Sequence, residues 1–388
     1  MTVDGLQSCN NKALSQKNMC YSAKKLRDTY LIKPGAPFYY HTFGLWMCLE
    51  KWHEEGLARD IDINKFFLLD KPGFHALGQL GWCESAFAPE FDEMVVEDRG
   101  EHEIVQDSAG RYVLYFKGRR QGFMPEYIDH PVKGVKTWLE NVKWRLNPQT
   151  ETRYADLDSR MNEAISAADK GLIIQQNMAG GYMFLRSLIG PEKLLYMFYD
   201  EPELIRDCME TWFDLADRVT SRHQQYVTID ELFLAEDITY NHGPLISPDM
   251  IKEFLFPYYQ QLISNIKSRQ IDKLRHLYFQ LDTDGNAVSI IDLYREGVGM
   301  DVMSPFEVAS GCDVVKIGKD HPDLVISGGI DKRVLSNNTD KIDRYLESIL
   351  PVMRKRGGYI PTTDHGVPPE VPWQNYLHFR KRCREYGD

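Results

Sequence analysis

Six short apolar runs after residue 154 constrain the fold of this 388-residue chain more than any other feature of its sequence. Amphipathic stretches with helical spacing separate the runs from one another. The runs are residues 171–177, 231–237, 274–282, 299–305, 324–330 and 358–364. Strands that alternate with helices form βα units, and such units build a parallel sheet.

The number of units predicts a closed barrel. Residues 36–44 are a further aromatic, β-prone run, and residues 45–57 continue with helical spacing, so the first third adds one or two units. About eight units close a (β/α)8 barrel. The competing doubly wound sheet usually carries a glycine-rich phosphate loop, but neither GxGxxG nor GxxxxGK[ST] occurs here. We therefore predict an α/β fold, the (β/α)8 TIM barrel.

Two segments fall outside the barrel pattern. Residues 1–33 are rich in Asn, Ser and Lys, which predicts an N-terminal extension that is a tail or a loosely docked helix. Residues 102–118 contain two β-rich runs joined by Asp-Ser-Ala-Gly, which predicts a β-hairpin excursion. The hairpin would either cover the barrel mouth or form a subunit contact, as in a homodimer. Residues 34–388 are otherwise predicted to form a single barrel domain.

Composition excludes several classes of protein. The chain has 57 acidic against 46 basic residues and a net charge of -11, which is unsuited to binding nucleic acid. No apolar run approaches the roughly 18 residues of a membrane span, and the polar N-terminus lacks a secretory signal. A cytoplasmic location is expected. Seven scattered cysteines without a CxxC motif predict neither a disulfide framework nor a structural zinc site.

Polar residues that end or follow the predicted strands are the candidate site residues, because a TIM barrel has its active site at the carboxyl ends of its strands. Helix capping is the alternative role for each of them separately. The candidates for substrate binding are Asn177, His242, Asp284, Asn286, Glu307, Asp331 and Asp364, and those for catalysis are Glu236, Asp237, Asp282 and His365.

Two pairs of carboxylates stand out among these candidates. Glu236 is adjacent to Asp237, while Asp282 and Asp284 point the same way if the strand persists. Paired carboxylates repel one another unless a cation, a shared proton or a substrate donor relieves them. With His365, Asp282 and Asp284 could bind a divalent metal such as zinc, or they could form an acid–base set for a polar substrate. The sequence leaves both alternatives open.

Two further segments have both a functional and a purely structural interpretation. A helix is predicted to begin near the glycines of residues 178–190. Its free backbone N–H groups would bind an anionic group, or the glycines would simply form a tight turn into the helix. The aromatic segments 38–43 and 82–87 would line a pocket or belong to the core.

Five segments after residue 171 carry a resemblance to the uroporphyrinogen decarboxylase superfamily, and they occur in the family's order. This superfamily includes methylcobalamin:coenzyme M methyltransferases and corrinoid-dependent O-demethylases. The segments are EDITYNHGPLISPDMIKEFLFPYY, DTDGN, PFEVASGCDVVKI, ISGGIDKRVL and GGYIPTTDHGVPPEVPWQNY. The resemblance implies a single TIM barrel, in agreement with the strand count.

Departures from the family patterns narrow the implied function. The arginine-containing RQAGR-like motif of true decarboxylases is absent from the sequence, although His365-Gly366 resembles their C-terminal HG. Asp282 and Asp284 stand where the coenzyme M methyltransferases have a His-x-Cys zinc pair. The chain thus resembles the methyltransferase-like branch, which implies transfer of a methyl group from a methylated or methoxylated small molecule to a corrinoid (cobalamin) carried by a partner protein. The alternative is a decarboxylase or other lyase acting on a carboxylated small molecule.

Overall fold

A computed structural model describes residues 19–120 and 125–388 of the chain. The helices in this part are α1 (Tyr21–Tyr30), α2 (Leu49–Glu54), α3 (Ile63–Phe66), α4 (Val135–Thr137), α5 (Leu157–Asp169), α6 (Gly181–Ile189), α7 (Pro191–Asp200), α8 (Pro202–His223), α9 (Pro248–Phe254), α10 (Phe256–Arg269), α11 (Ile291–Val298), α12 (Val314–Asp320), α13 (Thr339–Arg356) and α14 (Trp373–Gly387). The strands are β1 (Phe74–Ala76), β2 (Met94–Arg99), β3 (His102–Gln106), β4 (Tyr112–Phe116), β5 (Glu126–Asp129), β6 (Ile173–Ala179), β7 (Glu231–Ala235), β8 (Thr239–Tyr240), β9 (Gly243–Pro244), β10 (Tyr278–Thr283), β11 (Val302–Pro305), β12 (Val325–Ser327) and β13 (Tyr359–Ile360).

Seven parallel strands form the curled sheet of the predicted TIM barrel, in the order β1-β6-β7-β10-β11-β12-β13. All six strands predicted after residue 154 are confirmed. Their alternation separates an outer from an inner face: Leu232 and Leu234 of β7 join the main hydrophobic core with Trp212 of α8, whereas Glu231 contacts Tyr30 inside the barrel. The helices that follow the strands cover the outer face.

The predicted strand over residues 36–44 is wrong, because this segment joins no ladder. Its backbone N–H groups bind elsewhere: that of Tyr40 donates to Asp70 and that of Phe43 to Thr362 Oγ1. Phe38 packs edge-on against Tyr359 of β13, and His41 packs edge-on against Phe74 of β1. The segment therefore fills the seam between the two edge strands. The helix predicted over residues 45–57 is shorter and comprises only α2.

Helix α1 closes the amino end of the barrel, the floor. Leu26 and Tyr30 share an interior apolar cluster with Ile173, Val302 and Val325 from the strands. The sequence predicts a tail or a loosely docked helix for residues 1–33, but most residues of α1 are buried. Residues 1–18 of the predicted extension lie outside the described residues.

Polar contacts also hold α1 in place. Arg27 donates to the carbonyls of Gly171 and Leu172 at 2.8 and 3.0 Å and pairs with Asp230 at 3.1 Å. Lys25 is buried and pairs with Asp70 at 2.9 Å. A buried charge is stable only when paired in this way, so the polar composition of the helix does not prevent close packing.

The predicted hairpin is confirmed as β3 and β4, which belong to a four-stranded antiparallel sheet, β2-β3-β4-β5. Arg111 at its turn bridges Asp107 and Glu84, which ties the sheet to the loop after β1. Residues 121–124, between β4 and β5, are outside the description. No helix within the described residues is long and apolar enough to cross a membrane.

Candidate active site at the barrel mouth

The carboxyl ends of β7, β10 and β13 bring several predicted residues together at the barrel mouth. His365, after β13, pairs through Nε2 with Asp284 Oδ2 at 3.5 Å. The His365 ring also lies 4.9 Å from the ring of Phe43, in the seam segment. Asp237 and Asp282 lie close enough for their charges to act on the same cluster. The structure therefore places one imidazole among three carboxyl groups.

Opposing effects set the protonation of His365. Burial lowers the pKa of His365, but the hydrogen bond and the charge of Asp284 outweigh burial and raise this pKa above its usual value. The charges of Lys332 and Glu307 act on the ring in opposite directions. His365 consequently holds a proton more readily than a free histidine does.

Asp282 is buried at the end of β10, and Ser304 of the neighbouring strand donates to its Oδ2. Burial raises the pKa of Asp282 to about 7, and the charges of Asp284 and Asp237 add to the rise. The mouth thus contains a carboxyl group that exchanges its proton near neutrality.

Asp237 has a left-handed backbone, with φ at 42°, and pairs with Arg186 of α6 at 3.4 Å. Burial and the charge of Asp284 raise the pKa of Asp237, while Arg186 opposes the rise. Asp is among the residues that tolerate this conformation. The strained turn directs the chain out of β7 and leaves Asp237 beside the cluster.

Lys332 connects two further predicted residues. Its ammonium lies 3.5 Å from Glu307 Oε1 and 3.3 Å from Asp364 Oδ1. Asp364 also accepts the backbone N–H groups of Val308 and Lys332, at 3.0 and 3.1 Å. Asp364 and Glu307 are therefore placed to fix the loops that carry His365 and Asp284, since Glu307 in turn accepts the N–H of Gly285.

Glu236 does not face the mouth. It is completely buried behind the barrel wall, where Tyr259 of α10 and Tyr294 of α11 donate to its Oε1 at 2.7 and 3.1 Å. Its Oε2 lies at the amino end of α6, where a Cβ on Gly180 would overlap it. The amino end of α6, which the sequence predicts as a possible place for an anionic group, thus contains a carboxyl group of the protein itself.

The other predicted residues have local roles or lie apart from the cluster. Asn177 accepts the N–H of Gly78, and Asp331 accepts both the backbone N–H and the guanidinium of Arg333. His242 is exposed at the turn between β8 and β9. Asn286 donates its backbone N–H to Tyr240, and its Oδ1 is buried without a hydrogen bond.

The three predicted metal ligands lie in one cluster, but their side chains are not arranged around a common point. Asp284 pairs with His365, whereas Asp282 binds Ser304. Among residues 19–120 and 125–388, no group of three or more His, Cys, Asp or Glu side chains is arranged to hold a metal ion. The side-chain geometry therefore fits the acid–base alternative and gives no support to the zinc alternative.

Several residues of the mouth are not among the candidates predicted from the sequence. Arg186 lies on a helix rather than at a strand end, and Ser304 appeared only as part of an apolar run. The inward position of Ser304 follows from the alternation of side chains in β11, because Ser304 is two residues after the inward-facing Val302. Trp82, in the loop after β1, is 43% exposed and stacks on Phe233 at 4.8 Å. Trp82 is thus a partly exposed side chain stacked on an interior residue of β7.

Gly285→Ala is expected to destabilise the protein more than Gly299→Ala. Both glycines have a left-handed backbone, but a Cβ at Gly285 would lie 2.7 Å from the backbone of Tyr240, whereas Gly299 has no atom within 4 Å. Both substitutions lose about 1 kcal/mol from backbone strain, and the clash adds roughly 1–3 kcal/mol at Gly285 alone. Equal free energies of unfolding in urea for the two variants would contradict this close approach.

Comparisons with known proteins agree with the fold. The sequence model of uroporphyrinogen decarboxylase (URO-D) matches residues 166–386. Uroporphyrinogen decarboxylase from Geotalea daltonii is 24% identical over 188 residues, 47% of this chain and 49% of that protein. The enzyme from Geobacter metallireducens is 27% identical over 176 residues, 44% of this chain and 47% of that protein. The chain thus spans about half the length of these curated relatives.

One solved structure is similar along almost the whole chain. A methyltransferase from Methanosarcina mazei has a TM-score of 0.58 at 14% identity, covering 94% of this chain and 98% of that chain. The fold is a TIM barrel, and the cluster of one imidazole and three carboxyl groups lies at its mouth. Because the family sequence model covers more than half of the residues, the chain belongs to the URO-D family.

Proposed function

We propose that the protein transfers a methyl group from a methylated or methoxylated small molecule to a corrinoid carried by a partner protein. The observation that carries this proposal is the pair of His365 and Asp284 beside the buried Asp282. The pair supplies a protonated imidazole at the mouth, which suits a methyl donor whose leaving oxygen or nitrogen needs a proton.

His365 would act as the general acid. Asp284 holds the imidazole in its protonated form, and Phe43 packs against the ring and restricts its orientation. Asp282 would bind a polar hydrogen of the substrate or return the proton to His365, because its pKa of about 7 allows both states near neutrality. Asp237, held by Arg186, would bind the substrate on the side of β7.

The charges of the mouth are unfavourable for a porphyrinogen with many carboxylates. Arg186 is paired with Asp237, and Lys332 is shared by Glu307 and Asp364. Neither cation is free to take up an additional series of carboxylates without displacing an internal partner. A neutral or cationic methyl donor meets no such difficulty.

The corrinoid would supply the nucleophilic cobalt that accepts the methyl group. Exposed aromatic side chains in the loops after β1 and β7 and after the seam suit the approach of a partner that carries it: Trp46, Trp82 and Tyr240 are 50, 43 and 47% exposed. Phe233 of β7 stacks on Trp82, which restricts the orientation of its ring.

A decarboxylase or lyase acting on a carboxylated small molecule is the second candidate. The family match favours it, and Arg186 or Lys332 would then bind the carboxylate after exchanging partners. Release of CO₂ from uroporphyrinogen is the direct assay, and we expect none.

Methyl transfer is tested with cob(I)alamin as the acceptor and a panel of methyl ethers and methylated amines as donors. Formation of methylcobalamin changes the visible spectrum, and we expect it for at least one donor. A full panel without any spectral change, together with CO₂ release from a carboxylated substrate, would replace methyl transfer by the decarboxylase alternative.

A further inference from the structure

A row of buried polar side chains crosses the barrel interior between α1 and the mouth. Its members come from α1, β6, β7, β10 and β11, and each is at most 8% exposed: Tyr30, Gln175, Glu231, Gln280, Ser304 and Asp282. Interior positions of a TIM barrel are more often filled by branched apolar residues. Buried polar groups must form hydrogen bonds with one another, so a connected row of them is maintained only where its bonds are satisfied.

The hydrogen bonds join these side chains into one chain. Tyr30 Oη lies 2.8 Å from Glu231 Oε1 and 3.4 Å from Gln280 Oε1. Gln280 Nε2 donates to Ser304 Oγ at 3.1 Å, and Ser304 Oγ donates to Asp282 Oδ2. The chain therefore begins at the floor helix and ends on a carboxyl group of the candidate site.

The number of hydrogens available at Tyr30 and Glu231 decides which group donates to which along this row. Tyr30 has a single hydroxyl hydrogen but faces two oxygen atoms, one on Glu231 and one on Gln280. When Glu231 is ionised, it must take this hydrogen, and Gln280 Oε1 is left facing a second acceptor. When Glu231 is protonated, it donates to Tyr30, and Tyr30 donates to Gln280. Only the protonated form satisfies every contact.

We propose that Tyr30 and Glu231, on the floor of the barrel, are positioning residues that orient the Asp282 carboxyl group at its mouth. This inference rests on the proposed role of Asp282 in methyl transfer. A hydrogen from Tyr30 fixes the amide of Gln280 with its NH₂ group toward Ser304. Ser304 then accepts from the amide and keeps its own hydrogen for Asp282. Ionisation of Glu231 removes the constraint, because a flipped amide would attract the Ser304 hydrogen away from Asp282.

Groups around Glu231 favour its protonated form. Burial raises the pKa of Glu231 to about 7, against hydrogen bonds from Gln175 and Tyr30 that lower it. The negative charges of Asp230 and Asp301 act in the same direction as burial.

The remaining charged and titratable groups of the floor belong to neighbouring pairs. Arg27 of α1 and Arg275 are both directed to Asp230, at 3.1 and 3.2 Å. His276 pairs with Asp301. Tyr278 of β10 packs edge-on against Tyr30 at 4.9 Å, and its hydroxyl forms no hydrogen bond within the described part of the chain. No cation among the described residues pairs with Glu231 itself.

Infrared difference spectroscopy tests the chain without any assay of activity. The spectrum of wild type minus that of Glu231→Gln is expected to show the C=O band of a protonated carboxyl group at about pH 6. This band should weaken by about pH 8. The Asp282 band, identified with Asp282→Asn, should shift in Tyr30→Phe and stay in place in the matched control Tyr278→Phe. Absence of the Glu231 band at pH 6, or an Asp282 band unaffected by Tyr30→Phe, would overturn the proposal.

Kinetics of methyl transfer test its consequence. Tyr30→Phe is expected to lower kcat about tenfold with little change in KM, the effect of losing one hydrogen bond that orients a reacting group. Glu231→Gln, whose amide can donate to Tyr30 at every pH, should keep the wild-type rate at pH 6 and lose less of it by pH 8. Equal kcat for Tyr30→Phe and Tyr278→Phe would count against the positioning role. If wild type transfers no methyl group, the proposed function fails. The infrared bands still decide whether the hydrogen bonds connect Tyr30 and Glu231 to Asp282.

Discussion

His365→Ala is expected to lower the rate of methyl transfer by about a hundredfold or more. A positioned general acid typically contributes a factor of roughly 10²–10⁴, and no second imidazole accompanies His365 in the described mouth cluster. Because His365 is only partly buried and contacts Asp284 and Phe43 at the mouth, its removal should leave the fold intact. The measurement is kcat/KM for the best donor in the cob(I)alamin assay, with circular dichroism as the check on folding.

The matched control is His242→Ala. The sequence predicts a substrate-binding role for His242, but this residue lies exposed at the turn between β8 and β9. Its substitution should leave kcat/KM within about twofold of wild type. If both histidine variants retain the wild-type rate, His365 is not the acid and the assignment of the site is wrong.

The pH dependence gives an independent check on His365. The pKa of His365 is raised by Asp284, so the protonated, active form is present at low pH and is lost as the pH rises through this elevated value. Asp284→Asn removes the charge that raises the pKa of His365, and the alkaline limb of the rate profile should move to lower pH. A limb that stays in place would show that another group controls the rate.

The regular part of the fold could be predicted because its signal is local. Each of the six later strands is a short apolar run bounded by polar residues, and periodicity alone locates it. Strand β1 is only three residues long, Phe74–Ala76, with a histidine in the middle, so it carries no such signal. The seam segment 36–44 has β-prone residues but no strand partner, because its N–H groups bind side chains and the end of α14. Pairing is a tertiary property that composition does not encode.

The site could be predicted as a set of positions, but not as a set of roles. Chain order places Asp237, Asp282, Asp284 and His365 at strand ends, and the structure brings these four together. Glu236 had the same sequence context as Asp237, yet the left-handed turn at Asp237 sends the two carboxyl groups to opposite sides of the barrel wall. The partners that decide their chemistry, such as Tyr259, Ser304 and Arg186, lie 23, 22 and 51 residues away in the chain. Spacing rules do not reach contacts of this kind.

The acidity of the chain also has a different meaning after folding. Asp237, Asp364 and Asp284 each have a cationic or imidazole partner at the mouth. Glu231, Glu236 and Asp282 instead depend on neutral hydroxyl or amide donors and have raised pKa values. Carboxyl groups of the second kind remain protonated to higher pH, so part of the formal negative charge is absent from the interior near neutrality.

Glu236→Gln is expected to remove most of a pH-dependent loss of stability. Burial raises the pKa of Glu236 from 4.5 to about 8, so the folded protein keeps a proton there that the unfolded chain has already released. The free energy of unfolding must then decrease as the pH rises from about 5 to about 8, by on the order of 4 kcal/mol from this group alone. The glutamine is neutral at every pH, and its oxygen can still accept from Tyr259 and Tyr294.

Urea unfolding of wild type and variant at several pH values in this window measures the effect. Glu370→Gln, at an exposed position, is the control and should reproduce the wild-type slope. Parallel pH profiles for wild type and Glu236→Gln would mean that Glu236 is ionised in the folded protein, contrary to its raised pKa. Glu236→Gln also tests whether Glu236 takes part in the reaction. Because Glu236 lies behind the barrel wall, the variant should retain methyl transfer at about pH 7. Loss of the rate with unchanged folding would return Glu236 to the catalytic residues.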